Sequence, residues 1–227
     1  MYIELHARSA FSFLEGASLP ENLVARAAGL EFPAMGLLDR DGVYGAPRFH
    51  LAAQKNNIRA HIGAEVTSVE GFRYALLAKS RTGYQNLCRL ITRMKLRAAK
   101  GEGSITAEEL AEHSAGLVCL TGGDEGPLAH ALGRGGIEGG IECVRRLCGI
   151  LGRDNIYVEL QRHLHRDEEA RNQVAIEIAR RLRLPLLATN GVSHATRIER
   201  QVLDVFTSIR NHETLDTAGR LLVRNSE

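Results

Sequence analysis

The sequence predicts an α/β fold whose mainly parallel strands close, or nearly close, into a barrel. Two patterns and one absence carry that prediction. Short apolar runs alternate with amphipathic stretches about seven times along the 227 residues, and alternation of that kind builds a parallel sheet covered by helices. About seven such units in a chain of this length favour a barrel over an open doubly wound sheet. No G-x-G-x-x-G or G-x-x-x-x-G-K follows any run, so the phosphate loops of the nucleotide-binding open sheets are missing.

The elements follow in order. Residues 2–6 alternate and read as a first strand, with His6-Ala7-Arg8-Ser9 at its carboxyl end. Ser18-Leu19-Pro20-Glu21 reads as a capping box, the serine as cap and the glutamate three residues on. The helix it opens carries Leu23, Val24, Ala27 and Ala28 on one face and ends near Gly29. Residues 34–38 are a buried strand that runs into Asp39-Arg40-Asp41; Gly42 turns the chain, and a helix follows to about Lys55. Residues 60–67 make a third strand ending in Gly63-Ala64-Glu65. Gly71 reads as a hairpin turn into a fourth strand at 72–79. Residues 81–99 form a long helix with Tyr84, Leu87, Ile91 and Met94 as its apolar stripe. Thr106, Glu108 and Glu109 start a short helix, and residues 116–121 are a fifth strand closed by Gly122-Gly123. Residues 133–140 read as loop and 141–151 as helix. A sixth strand spans 156–160. Asp167-Glu168-Glu169 open the next helix, favourable at its positive end, and Val174, Ile178 and Leu182 form its stripe. The seventh strand, 185–189, ends in Asn190-Gly191, and a last helix carries Val202, Val205, Phe206 and Ile209. No linker, repeat or low-complexity tract divides the chain, so one domain over 1–227 is expected.

Composition excludes little. Hydrophobic residues make up 44% and charged residues 25%, ordinary for a globular protein with a sizeable core. A net charge of +2 is too small to argue for nucleic acid or membrane. Cys88, Cys119, Cys143 and Cys148 show no C-x-x-C or zinc-ribbon spacing; three sit among apolar neighbours and read as small hydrophobes. The first residues, MYIELHARS, lack the basic start and apolar run of a signal peptide, and no stretch approaches a membrane span. A cytoplasmic protein is expected.

In a barrel the strand ends converge. They would gather His6 and Arg8, Asp39 to Asp41, Glu65, Gly122-Gly123, residues 161–165 and residues 190–194. Such a set is either a pocket for an anion, phosphate or metal, or a salt-bridged rim in which Arg8 and Arg40 pair Asp39, Asp41 and Glu65. Composition favours the rim, because arginine satisfies carboxylates bidentately and permanently. It also places fixed positive charge where a metal would prefer imidazole or another carboxylate. His163 and His165 have ligand-like spacing but read as a solvated loop. His50, His113, His130 and His212 read as surface residues and His61 as buried at a strand start. His194, beside the last strand end, is the best candidate for an alternative ligand. The basic clusters Arg93, Lys95, Arg97, Lys100 and Arg180, Arg181, Arg183 read either as a DNA-contacting module or, as such clusters usually do, as solvated complements to helix C-termini. They lack the stacking aromatics that single-strand binding uses.

The runs ELHARSAFSFLEGAS, LLDRDGVYGAPRF and HIGAEVT, then LLAKSRTGYQNLCRLIT, LVCLTGG, YVELQRH, LLATNGVSHAT and DVFTSIRNHETLDTAGR, resemble the N-terminal PHP (polymerase and histidinol phosphatase) domain of bacterial C-family DNA polymerases. The error-prone type of polymerase III α subunit is most similar. The resemblance covers essentially the whole chain. It implies a distorted seven-stranded β/α barrel of the TIM-like kind. Active members hold a metal cluster at the strand ends and hydrolyse phosphoesters, in some polymerases as a 3′–5′ exonuclease. It also implies that these residues are the N-terminal part of a longer polypeptide whose polymerase body lies beyond residue 227.

Carried over position by position, the resemblance implies that the metal-ligand set is incomplete. His6, Asp39 and Glu65 are retained. The family's His-x-His motif reads His6-Ala7-Arg8, and its Asp-His motif reads Asp39-Arg40. A histidine of the following strand falls at Ala75 and a cysteine after the fifth strand at Gly123. The closing Asp-x-His reads Gly191-Val192-Ser193. The expectation is therefore no catalytic residue and no firmly bound metal, with Arg8 and Arg40 in metal positions. The alternative is an active phosphoesterase, a phosphatase or exonuclease, using His6, Asp39, Glu65 and His194 with Zn, Mn or Fe. The partners implied are the polymerase body of the same chain, other polymerase subunits and the DNA that the parent protein contacts; no membrane is implied.

Overall fold

The computed structural model describes residues 2–99, 101–164 and 168–222; Lys100, His165 and Asp167 of the sequence reading lie outside them. In chain order the elements are α1 (Pro20–Gly29), β1 (Ala34–Arg40), α2 (Ala46–Lys55), β2 (Arg59–Thr67), β3 (Arg73–Ala78), α3 (Arg81–Arg97), α4 (Ala107–Glu112), β4 (Leu117–Leu120), α5 (Pro127–Leu151), β5 (Ile156–Leu160), α6 (Glu168–Leu182), β6 (Leu186–Ala188), α7 (Arg197–Asn211) and α8 (Leu215–Ala218). The fold is α/β, and the named strands hydrogen-bond in chain order as one six-stranded sheet. The sheet is mixed, with β3 as the strand that runs against its neighbours. β2, β3 and β4 are antiparallel neighbours, while β4, β5 and β6 are parallel. The reason is local: Gly71, at φ +91°, makes the tight turn between β2 and β3, and a connection that short permits only an antiparallel return.

The chain divides into two compact units, one of Met1–Arg40, Tyr44–His61 and Gly191–Glu227, the other of Asp41–Val43 and Ile62–Asn190. In the first, α1 buries Leu23, Val24 and Ala27 and α2 buries Phe49, Ala52 and Ala53. Every residue of β1 before Arg40 is buried. The capping box expected at Ser18 does not form. Leu19 is the N-cap of α1 and makes no side-chain bond. The Ser18 hydroxyl instead accepts the Ala195 N–H at 2.7 Å, and Glu21 pairs with Arg48 at 2.6 Å. A distant backbone donor has taken the oxygen a cap would need.

The first expected strand, 2–6, is not a named strand. It makes single parallel bridges, Glu4 with Met35 and Ala7 with Val192. Between them the His6 N–H turns to the Glu4 carboxylate at 2.7 Å, so the side chain diverts a donor that a ladder would use.

The second unit holds a large apolar cluster that includes Leu76, Leu87, Met94, Leu117, Val144 and Val158. α3 starts at a Ser80 cap that accepts from Gly83 N and buries Leu87, Leu90, Ile91 and Met94; Tyr84 lies at the stripe's exposed edge. α4 opens with the Thr106–Glu109 capping box. The segment 133–140, expected as loop, is largely helical: α5 runs through it and breaks only at Gly135-Gly136, where Gly136 has φ 57° and ψ −152°. Its glycines serve packing as well as turning. A Cβ at Gly140 would come within 2.7 Å of Leu132 and 2.8 Å of Ile178, so its absence lets α5 lie close to α6.

Candidate functional site

At the carboxyl end of β1 successive side chains point to opposite faces of the strand. Asp39 is buried and accepts from the Ser9 N–H at 2.7 Å, the Ser9 hydroxyl at 2.9 Å and the Ser12 hydroxyl at 2.9 Å. Gly45, the N-cap of α2, lies so close that a Cβ there would sit 2.5 Å from Asp39 Oδ2. The carboxylate therefore rests at a helix N-terminus, where negative charge is favoured. Arg40 turns the other way. Its Nη1 is 2.5 Å from Glu15 Oε1, and its backbone N–H donates to the Ser12 hydroxyl at 3.0 Å.

Glu15 organises this region, and the sequence reading missed it. Its side chain is 2% exposed, with Arg40 at 2.5 Å, Arg210 Nη1 at 3.1 Å and Arg8 Nη1 at 3.9 Å. Three segments distant in sequence thus bring guanidinium groups to one buried carboxylate. A compact turn aims it inward. Ser12 N–H donates to Ser9 O, Glu15 N–H and Gly16 N–H both donate to Ser12 O, and Leu14 takes φ +61°. Gly16 permits the turn, since a Cβ there would meet Ser9 O at 2.0 Å. The signal available in sequence was a single acid among small and apolar residues in SAFSFLEGAS.

His6 is buried, and its carbonyl accepts the Val192 N–H at 3.0 Å. Gly191 has φ +56°, and the Ser193 carbonyl accepts from Ala17 N–H at 2.8 Å. Burial pushes the His194 pKa below its ordinary value, against the opposing effects of Thr196 backbone and the Glu199 charge. Its imidazole is thereby held neutral near pH 7.

In the second unit, Asp41 accepts from the Thr67 N–H at 2.8 Å and the Thr67 hydroxyl at 2.9 Å. Its own N–H donates to Glu65 O at 2.7 Å. The buried Glu65 carboxylate lies 3.7 Å from Arg73, which also bonds Glu125 at 3.0 Å. Ala75 stands opposite Glu65 in the β2–β3 ladder. Gly123 leaves room for the Gln161 amide: a Cβ there would lie 2.2 Å from Gln161 Oε1. Gln161 in turn donates to Glu159 at 2.8 Å, and the Thr189 hydroxyl donates to the same carboxylate.

His163 places Nδ1 2.7 Å from Glu168 and Nε2 2.8 Å from the Asn190 carbonyl. Glu159 and Glu168 are buried carboxylates; the sequence reading passed over the first and took the second only as a helix-opening acid. Among the described residues, no three His, Cys, Asp or Glu side chains are grouped to hold a metal ion.

Residues 4–163 match the family model described as PHP domain. The chain belongs to the PHP family. An error-prone DNA polymerase from Anaeromyxobacter sp. (strain K) is 40% identical over 235 residues, covering 100% of this PHP chain but 20% of the relative. The chain thus spans about one-fifth of the length of that relative. A Bifidobacterium adolescentis structure assigned as a metal-dependent phosphoesterase superposes with a TM-score of 0.56 at 14% identity, over 84% of this chain and 87% of that one. Endonuclease Q in complex with a 27-mer duplex superposes with a TM-score of 0.51 at 14% identity, over 86% and 49%. At such identities the likeness is one of fold. Among the described residues of this PHP chain, no helix is long and apolar enough to cross a membrane.

Proposed function

We propose that this PHP chain is a metal-poor, non-catalytic module of an error-prone DNA polymerase, one that supports the polymerase body and its partner subunits while DNA synthesis takes place outside residues 1–227. The observation that carries the reading is the gathering of Arg8, Arg40 and Arg210 around buried Glu15. Arg8 and Arg40 stand where the resemblance implies metal ligands. A guanidinium stays protonated and offers no lone pair to a cation. Asp39, a retained ligand position, already accepts three hydroxyl and amide donors. Ala75, Gly123, Gly191 and Ser193 offer no imidazole, thiolate or carboxylate. The residues do not fit a metal cluster, and arginine–carboxylate pairing takes over its organising role.

The family's seven-stranded barrel belongs to this reading. The segment 4–7 bridges Met35 on one side and Val192 on the other, as a seventh strand would. The lengths of the polymerase relatives support a polymerase body as partner, and the cytoplasm is the compartment such a protein works in.

A second reading, a phosphatase or 3′–5′ exonuclease using Zn, Mn or Fe, is favoured by the fold likeness to the assigned phosphoesterase. His6, Asp39 and Glu65 are its retained residues and His194, kept neutral by burial, its alternative ligand. The two readings separate in one assay: hydrolysis of a nitrophenyl phosphate and of 3′-labelled DNA with added Mn²⁺, Zn²⁺ or Fe²⁺. The scaffold reading predicts no metal-stimulated turnover by the folded protein, and none in an Arg8→His/Arg40→His double variant, because Gly191 and Ser193 still supply no ligand. Turnover that Asp39→Asn abolishes would put the enzyme reading in its place.

A further inference from the structure

α7 is turned the opposite way from an ordinary surface helix. Leu203, Thr207 and Ser208 are its buried residues, so much of the side facing its own unit is polar. Ser208 donates to the Asp204 carbonyl at 3.0 Å and Asn211 to the Thr207 carbonyl at 2.8 Å. On the opposite side Ile198, Val202, Val205 and Ile209 are 78%, 40%, 41% and 53% exposed. Their spacing of four, three and four residues draws one narrow stripe along the helix. That is the seam against which a second helix packs. Single exposed apolar residues need no explanation, but four aligned on one face mark an interaction surface.

We infer that the Ile198–Val202–Val205–Ile209 stripe of α7 is a docking seam for an apolar-faced helix from the remainder of the longer polypeptide. The inference rests on the reading of this chain as one part of an error-prone polymerase. The occupant is chosen on two grounds. Residues 1–227 account for about one-fifth of the polymerase relative, so most of such a polypeptide is available to cover the stripe. α7 is also the last long helix among the described residues, with Leu215 and Leu221 half exposed just after it. Under the polymerase reading the apolar surface is therefore close in sequence to the polymerase body.

The test is thiol labelling of Val202→Cys and Val205→Cys, each made in the natural full-length polypeptide and in residues 1–227, with maleimide attachment located by mass spectrometry. Both positions are exposed, so the substitutions leave the unit's interior intact. Leu96→Cys on α3, 83% exposed, serves as an open reference and buried Cys119 as a closed one. The seam predicts labelling at 202 and 205 at least ten times slower in the full-length protein than in 1–227. It also predicts that Ile198→Asp/Ile209→Asp, added to either cysteine variant of the full-length protein, restores the fast rate. Equal rapid labelling in both proteins overturns the inference. Slow labelling in 1–227 that tracks a dimer in sedimentation overturns it in favour of a second copy. Primer extension by the same full-length protein separates the two levels. An active polymerase with an open stripe sinks the seam alone. A natural chain that ends at residue 227, or shows no synthesis, removes the polymerase reading and the cis occupant with it.

Discussion

Glu15 is the buried carboxylate to which Arg8, Arg40 and Arg210 converge in the first unit. Its carboxylate is buried, while Arg40 and Arg210 are 36% and 41% exposed. Removing the acid would leave guanidiniums that water can reach, so the loss falls below that of a fully buried pair. Glu15→Ala should lower unfolding stability by on the order of 2 kcal/mol, read as a drop in urea midpoint, with Glu15→Gln losing less. An unchanged midpoint for the alanine variant would remove Glu15 from its central place. Asp39 and Arg40 were legible as site residues because they end an apolar run. Glu15 was not, because it reaches the site through a turn with Leu14 at positive φ, which no periodicity reports.

Two histidines give a pH dependence of known sign. Burial lowers the His61 pKa, with the Arg59 charge adding to it, and burial also lowers that of His194. Each therefore binds a proton more readily when unfolded than in the fold. Their contribution is complete above the unfolded pKa of about 6.5 and is lost as pH falls through the depressed folded values. Stability should therefore decline on acidification below that point, and His61→Gln with His194→Asn should flatten the slope between pH 7 and 5. A slope unchanged in the double variant would assign the acid sensitivity elsewhere.

Among the elements, two similar motifs had different fates. Thr106-x-x-Glu109 caps α4 reciprocally, the Thr106 N–H donating to Glu109 at 3.0 Å and the Glu109 N–H to the Thr106 hydroxyl at 3.3 Å. Arg97 also holds the Glu109 carboxyl below the usual range. Ser18-x-x-Glu21 has the same local pattern and caps nothing, because Ala195 claims the serine. Thr106→Ala should cost about 1 kcal/mol through the lost cap, measured by thermal or urea unfolding. Ser18→Ala should instead raise hydrogen exchange at Ala195. Local sequence shows what a side chain can do, and a competitor 177 residues away decides whether it does. The same limit explains α5, whose glycines read as loop although Leu128 and Ile141 anchor both sides of its break.

At the scale of the whole molecule, alternation placed the strands and helices well but not their pairing, since a run of apolar residues carries no strand direction. The hairpin at Gly71 was visible, yet its consequence, an antiparallel β3 between two neighbours, follows only once the sheet is assembled. Division of the chain into discontinuous units is likewise invisible to any local window. The proposed function has arginine–carboxylate pairing, in place of metal, hold the strand-end residues. The most direct measurement is elemental analysis of tag-free protein purified without chelator and dialysed against metal-free buffer. The account predicts zinc, manganese and iron together far below one ion per chain, with cooperative folding retained. One or more tightly held ions per chain, lost together with the fold in Asp39→Asn, would contradict it.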